Sequence, residues 1–235
     1  MDTLTYFVLV PMVYLAVTVF ALGTAWRLYR IVSRPAFAPT LKIFPERSPA
    51  WLFALTDAFF LPMVRRHNPV LWAFLMLLHL TIGLLILGHL ELFAEMPWLQ
   101  AWPHEVFLGG GFVGVSSFVC LLFLLFRRFV PPAKDLSVPE DYFLLIVLLL
   151  AVMFGSQMHL ARRIYEFSSM GVAEYREYLM SLVLFAPSVD AVTGSGHSFM
   201  LTLHVFFANL FIMVFPFSKM MHAVLSIPAN MMRRR

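Results

Sequence analysis

The stretch LLHLTIGLLILGHLELF, residues 77–93, decides how this chain is read. It belongs to an apolar segment long enough to cross a membrane, and it carries two imidazoles, His79 and His89, ten residues apart. Hydrocarbon is a poor solvent for polar side chains, so a neutral imidazole near each end of one span asks for a reason. At a rise of ~1.5 Å per residue the two rings stand ~15 Å apart along the axis, and ~80° apart in rotation. That places them toward opposite membrane faces, on one half of the helix. Gly83 and Gly88 remove side chains from the flank, which suits the approach of a flat macrocycle or of a neighbouring helix.

The composition agrees with a membrane setting. Of 235 residues 61% are apolar and 13% charged, against ~25% charged in an ordinary soluble domain. A hydrocarbon core of ~30 Å needs ~20 apolar residues per helix. Five stretches qualify, running roughly over 4–25, 70–92, 106–126, 142–159 and 199–221. The expectation is an all-α, integral membrane bundle of five transmembrane helices forming a single domain over residues 1–235. The segment Trp51–Val64, with Asp57 in its middle, is too short to span and reads as an interfacial helix or a docking surface for a soluble partner. The run YLMSLVLFA, residues 178–186, is also too short, and is expected to lie as a lid on the outer surface.

Charge fixes the expected orientation. The first span begins with Asp2, has no Lys or Arg before it, and is followed by Arg27 and Arg30, which reads as a retained helix with its N-terminus outside. Five spans then put fourteen of the seventeen Lys and Arg on one side, leaving only Arg162, Arg163 and Arg176 on the other. The net balance is about +9 inside and −5 outside, which is the positive-inside pattern and no footprint for nucleic acid. The C-terminus is thus expected in the cytoplasm. The single cysteine, Cys120, excludes an intrachain disulfide, a cluster held by several thiolates, and the Cys-x-x-Cys-His attachment of c-type haem.

The last span, FMLTLHVFFANLFIMVFPFSKMMH, carries a second pair, His204 and His222. Eighteen residues are five whole turns of a continuous helix, so both rings would share one face ~27 Å apart. The mismatch with ~15 Å must then be absorbed by tilt, by a kink at Pro216, or by slanted ligand axes. The two helices run in opposite directions, so depth couples His79 with His222 near the cytoplasmic face and His89 with His204 near the outer face. Neutral imidazole binds haem iron strongly without burying charge. Spacing alone leaves three readings open: two stacked haems, a proton or metal-ion transporter, and a haem-free membrane anchor. Against the transporter, no helix interior offers a carboxylate to pair with the histidines.

Further candidates surround these four. Arg65 and Arg66 precede the second span and suit either cytoplasmic charge anchoring or haem propionates. Arg162 and Arg163 are in the same position at the outer side. His104 and His159, at outer span ends, are within reach of a quinone head group, although each also fits an ordinary interfacial position.

Two segments carry a resemblance. HLTIGLLILGH (79–89) and the H-x17-H of 204–222, with its FPFSK-x-x-H ending, resemble the haem-binding helices of the nitrate reductase gamma subunit and its relatives in sulfur-metabolising redox complexes. The resemblance implies a dihaem cytochrome b with two haem b groups in a prokaryotic inner membrane. It implies His89 and His204 on the outer haem iron and His79 and His222 on the inner. It further implies electron exchange with a quinone pool, menaquinone or ubiquinone, near the outer haem, and with a cytoplasmic iron–sulfur subunit near the inner one, alongside other membrane or periplasmic subunits. One departure stands out. The family's subunit uses a lysine after the second span for quinone, and here no Lys or Arg occurs between His89 and Arg127. This favours the relatives over a nitrate reductase subunit itself.

Overall fold

The computed structural model describes residues 2–33, 48–94, 111–165, 171–194 and 198–234, and among these every regular element is helical. In chain order they are α1 (Thr3–Leu9), α2 (Pro11–Val32), α3 (Ala50–Phe60), α4 (Pro62–His67), α5 (Pro69–Glu91), α6 (Phe112–Arg127), α7 (Pro139–Tyr165), α8 (Val172–Val183), α9 (Asp190–Thr193), α10 (Ser198–Val214) and α11 (His222–Arg234). Among the described residues, four helices are long and apolar enough to cross a membrane: 3–32, 69–91, 139–158 and 198–217. The chain is a multi-pass membrane protein. The stretch expected to form a span over 106–126 provides α6, sixteen residues long, with 106–110 outside the described residues. Sixteen residues give ~24 Å of helix, short of the ~30 Å hydrocarbon core.

The contacts divide the chain into two compact units, one of residues 1–17 and 77–212, the other of 18–76 and 213–235. In the first unit, α1 and α2 are separated by a break at Val10, where Pro11 has no N–H to donate. The Val13 N–H turns back to the Val10 carbonyl at 3.1 Å, so the Leu9 carbonyl loses its usual helical partner. The Tyr178 hydroxyl donates to that carbonyl at 2.6 Å, and Asn209 Nδ2 donates to the Val8 carbonyl at 3.4 Å. Tyr14 returns the contact by donating to the Leu182 carbonyl at 2.8 Å. Around these bonds Leu9, Val10, Tyr178, Leu182, Val192 and Leu201 form a buried cluster. The run expected as a surface lid is therefore packed into the core through α8.

α6 packs against α7 across a tight connection. Arg128 Nη1 donates to Asp141 Oδ2 and to Ser137 Oγ, each at 3.1 Å, and the Val138 N–H donates to the same Asp141 oxygen. Tyr142 closes the turn by donating to the Arg128 carbonyl at 2.6 Å.

In the second unit, α3 packs along α11. The segment 51–64 forms two helices joined at Leu61, whose φ of 43° is in the left-handed region. Trp72 Nε1 donates to the Phe60 carbonyl at 2.7 Å and so caps the end of α3. The most consequential feature is at 215–221, where the sequence suggested one continuous helix. The α-helical ladder stops at Val214, and two short 3-10 turns, Phe215–Phe217 and Lys219–Met221, flank an extended Ser218 with ψ of 177°. Pro216 lacks an N–H and its ring clashes with the preceding turn, so the straight helix cannot continue. His222 starts a new helix, and the five-turn, 27 Å projection does not hold.

Candidate functional site

Within the first unit the structure brings His89 of α5 and His204 of α10 face to face. Their ring centroids are 6.0 Å apart, with planes 25° from parallel. Each ring is held from behind. His89 Nδ1 lies 2.6 Å from the Leu85 carbonyl, one turn back on its own helix. His204 Nδ1 lies 2.8 Å from the Ala151 carbonyl on α7. A carbonyl oxygen can only accept, so both rings donate from Nδ1, and the ring lone pair is then on Nε2. This is the arrangement by which metal-binding histidines are oriented and made more basic.

Gly155 is what permits it. Residues 151 and 155 are one turn apart, so the Ala151 carbonyl opens beside position 155. A Cβ there would lie 2.9 Å from both Nδ1 and Cε1 of His204. Any side chain would displace the ring. Gly83, on which the sequence reading placed the close approach, has nothing within 4 Å of its missing Cβ.

A cavity of about 430 Å³ adjoins the pair, lined by His89, His204 and apolar side chains such as Ile82, Leu148 and Phe211. The volume is in the ordinary range for ligand pockets, ~300–1,000 Å³. α8 supplies one wall through Tyr175, Tyr178 and Leu179, at helical i, i+3, i+4 spacing. The Tyr175 hydroxyl points to Met158 Sδ at 3.7 Å. Burial, with Glu174 adding to it, pushes the Tyr175 phenol up to about 12, and burial raises Tyr178 as well. Both are neutral hydrogen-bonding groups at physiological pH.

Two opposed imidazole nitrogens holding one metal at ~2.0–2.1 Å each must be ~4 Å apart. Rings whose centroids are 6.0 Å apart are close enough for one metal ion to be shared between them. Among the described residues no group of three or more His, Cys, Asp or Glu converges on one point. A metal held here would take its other ligands from something other than side chains, and a flat, apolar, tetrapyrrole-type chelator meets that condition.

The other candidates are placed less decisively. His79 is exposed on α5 in the first unit, and His222 is exposed at the start of α11 in the second. His222 Nδ1 lies 3.0 Å from the Lys219 carbonyl, which again puts the ring lone pair on Nε2. His67 makes the same kind of bond to Met63 at 2.8 Å, so a local carbonyl contact alone does not mark a ligand. What sets His89 and His204 apart is the facing ring and, for His204, the inter-helix bond. Arg65 and Arg66 are exposed on α4, with the Arg65 guanidinium 5.1 Å from the Trp72 ring centroid. The backbones of His159, Arg162 and Arg163 are part of α7, but their side chains lie outside the described residues, as does all of His104. The sequence reading gave no role to Ala151 or Gly155, nor to Arg176, whose Nη2 donates to the carbonyl of the buried Glu91 at 3.3 Å. The only signal for Gly155 was a small residue interrupting an otherwise bulky apolar helix.

These features define a multi-pass membrane protein, helical throughout its described residues, in which histidines from two helices bring their rings together on the lining of an apolar cavity. The family described as nitrate reductase gamma subunit matches residues 66–235, a range that contains all four candidate histidines, and the chain belongs to that family. It is similar to the Hdr-like menaquinol oxidoreductase cytochrome b-like subunit of Archaeoglobus fulgidus, with 28% identity over 163 residues. That match covers 65% of this chain and spans about half, 47%, of the relative's length.

Proposed function

We propose that the chain is the dihaem b-type cytochrome subunit of a respiratory redox complex in a prokaryotic cytoplasmic membrane. It passes electrons between a quinone pool, of which menaquinone is the type named for the relative, and a cytoplasmic iron–sulfur subunit. The topology that goes with this is five spans, with the N-terminus outside and the C-terminus in the cytoplasm. The observation that carries the reading is the His89–His204 ring pair, 6.0 Å apart, with each Nδ1 donating to a carbonyl.

His89 and His204 would hold one haem, at the outer side, and His79 and His222 a second, at the inner side. Bound haem supplies reversible one-electron chemistry that no side chain here provides. The chain's own contribution is placement. Carbonyls of Leu85 and Ala151 fix ring tautomer and orientation, Gly155 clears the space behind His204, and the apolar wall excludes water. Membership of a redox-subunit family and the menaquinol oxidoreductase relative support the assignment. The propionate role of Arg65, Arg66, Arg162 and Arg163, and the quinone role of His104 and His159, belong to the same proposal.

The test is a reduced-minus-oxidised absorption spectrum of the purified chain, followed by addition of a menaquinol analogue. Two b-type haems per chain, reducible by the quinol, are expected. A spectrum without haem bands in protein that is folded and membrane-inserted would return the chain to the transporter or anchor readings.

A further inference from the structure

Helix α2 carries no charged residue until Arg27, which the sequence reading used only to orient the first span. In the second unit the structure gives it a more specific task. Phe20, Gly23 and Arg27 recur at i, i+3, i+7 and so share one face of α2. All three meet the broken segment that precedes His222. Phe20 packs edge-on against Phe215, with centroids 5.5 Å apart. Gly23 lets the backbone come so close that a Cβ there would be 2.9 Å from Pro216 Cβ and 3.0 Å from Phe217 Cζ. One turn further, Arg27 Nη1 donates to the Pro216 carbonyl at 2.7 Å and to the Ser218 carbonyl at 3.3 Å.

The Pro216 carbonyl is available because the helix breaks there, and the Ser218 carbonyl, which also accepts the Met221 N–H at 3.4 Å, has a second lone pair to offer. A carbonyl released from a helical ladder in apolar surroundings carries a penalty of a few kcal/mol unless something donates to it. A planar guanidinium can serve both from one side chain. Arg30, three residues along, is exposed by contrast. From the turn to His222 the chain of contacts is short. Ser218 Oγ donates to the Phe215 carbonyl at 3.1 Å and accepts from the Met220 N–H at 3.2 Å. The Lys219 carbonyl then accepts from His222 Nδ1 at 3.0 Å. The angle of the His222 ring is thus set by a turn whose Pro216 and Ser218 carbonyls are both held by Arg27.

We infer that Arg27 is a positioning residue for the His222 imidazole, acting through the Phe215–Met221 turn, and that Gly23 is the clearance that lets it act. The inference rests on the reading of His222 as a haem ligand. It assigns to α2, which lies outside the range matched by the family, control over one haem and not the other.

The experiment uses the full chain in membranes or detergent, with variants Arg27→Ala, Arg27→Lys, Gly23→Leu, Arg30→Ala and His222→Ala. Haem content, midpoint potentials and low-spin ferric resonance signals are read for each. His222→Ala identifies the haem concerned. Arg27→Ala and Gly23→Leu are expected to weaken retention of that same haem about tenfold or more, the scale seen when a group orienting a metal ligand is lost, or to shift its signal, with the other haem unchanged. Arg27→Lys, which keeps the charge and reaches only one carbonyl, is expected to fall between. Arg30→Ala is expected to match the parent. Should Arg27→Ala fail to accumulate, Arg27→Lys and Gly23→Leu carry the same test. The inference is overturned if they leave both haems with the parent's potentials and resonance signals while His222→Ala removes one. If His222→Ala itself retains two haems, it is the ligand assignment that fails.

Discussion

Gly155 lies so close behind His204 that a single added carbon would stand 2.9 Å from two atoms of the imidazole. Space is the limiting quantity here, because the ring must also reach the Ala151 carbonyl at 2.8 Å. Gly155→Ala is therefore expected to cost ~1–3 kcal/mol by overpacking and to tilt His204 off its carbonyl, and Gly155→Leu to do more. Haem stoichiometry of the purified variants, together with thermal unfolding in detergent, checks this. If Gly155→Leu retains full haem content with an unshifted spectrum, His204 is not held as described.

On the proposal that His89 and His204 share one haem, each should be as necessary as the other. His89→Ala and His204→Ala are each expected to lose about half of the haem, and the double variant to lose no more than either alone. Non-additivity of this kind is what residues acting as one unit produce. A pyridine haemochrome assay measures it. Independent, additive losses would place the two rings on different irons.

The membrane class, the two histidine-bearing helices and the nearness of His89 to His204 were legible in the sequence. Each rests on a property that survives any detail of packing: apolar length, helical rise, and opposite chain direction. What was not legible depended on side chains far apart in sequence. Gly155 and His204 are 49 positions apart and Arg27 and Pro216 are 189, and nothing in either segment alone announces the other. The break before His222 was half legible. Pro216 was visible as a kink, but the extended Ser218 that ends the straight projection follows from where its carbonyl finds a donor. The run 178–186 was read by length alone as a cover, whereas Tyr178 and Leu182 make it core because the Val10 break leaves the Leu9 carbonyl in need of a donor.

Asp141 is 5% exposed and accepts from both the Arg128 guanidinium and the Val138 N–H. Losing the carboxylate leaves a part-buried cation and a backbone donor without their acceptor. Asp141→Ala is expected to lower stability by ~1.5–3 kcal/mol, the usual range for hydrogen bonds to charged groups. Haem spectra should be unaffected, because the clamp belongs to the α6–α7 connection and not to the histidine pair. Thermal unfolding followed at a haem band separates the two effects.

Tyr175 and Tyr178 give α8 a defined pH response. The Tyr175 phenol is pushed up to about 12 and Tyr178 is raised in the same direction, both chiefly by burial. An unfolded tyrosine ionises near its ordinary value of ~10. The folded state thus holds protons that the unfolded state releases, and the stability they contribute is fully present below about pH 10 and lost as pH rises past it. Unfolding temperature in detergent is expected to be insensitive to these groups from neutrality to about pH 10 and to fall above it. Tyr178→Phe should lower stability at neutral pH by ~1–3 kcal/mol, since the buried Leu9 carbonyl loses its donor, and should make the alkaline loss shallower. An alkaline slope identical in Tyr175→Phe, Tyr178→Phe and the parent would mean that other groups govern it and that α8 is not held through these phenols.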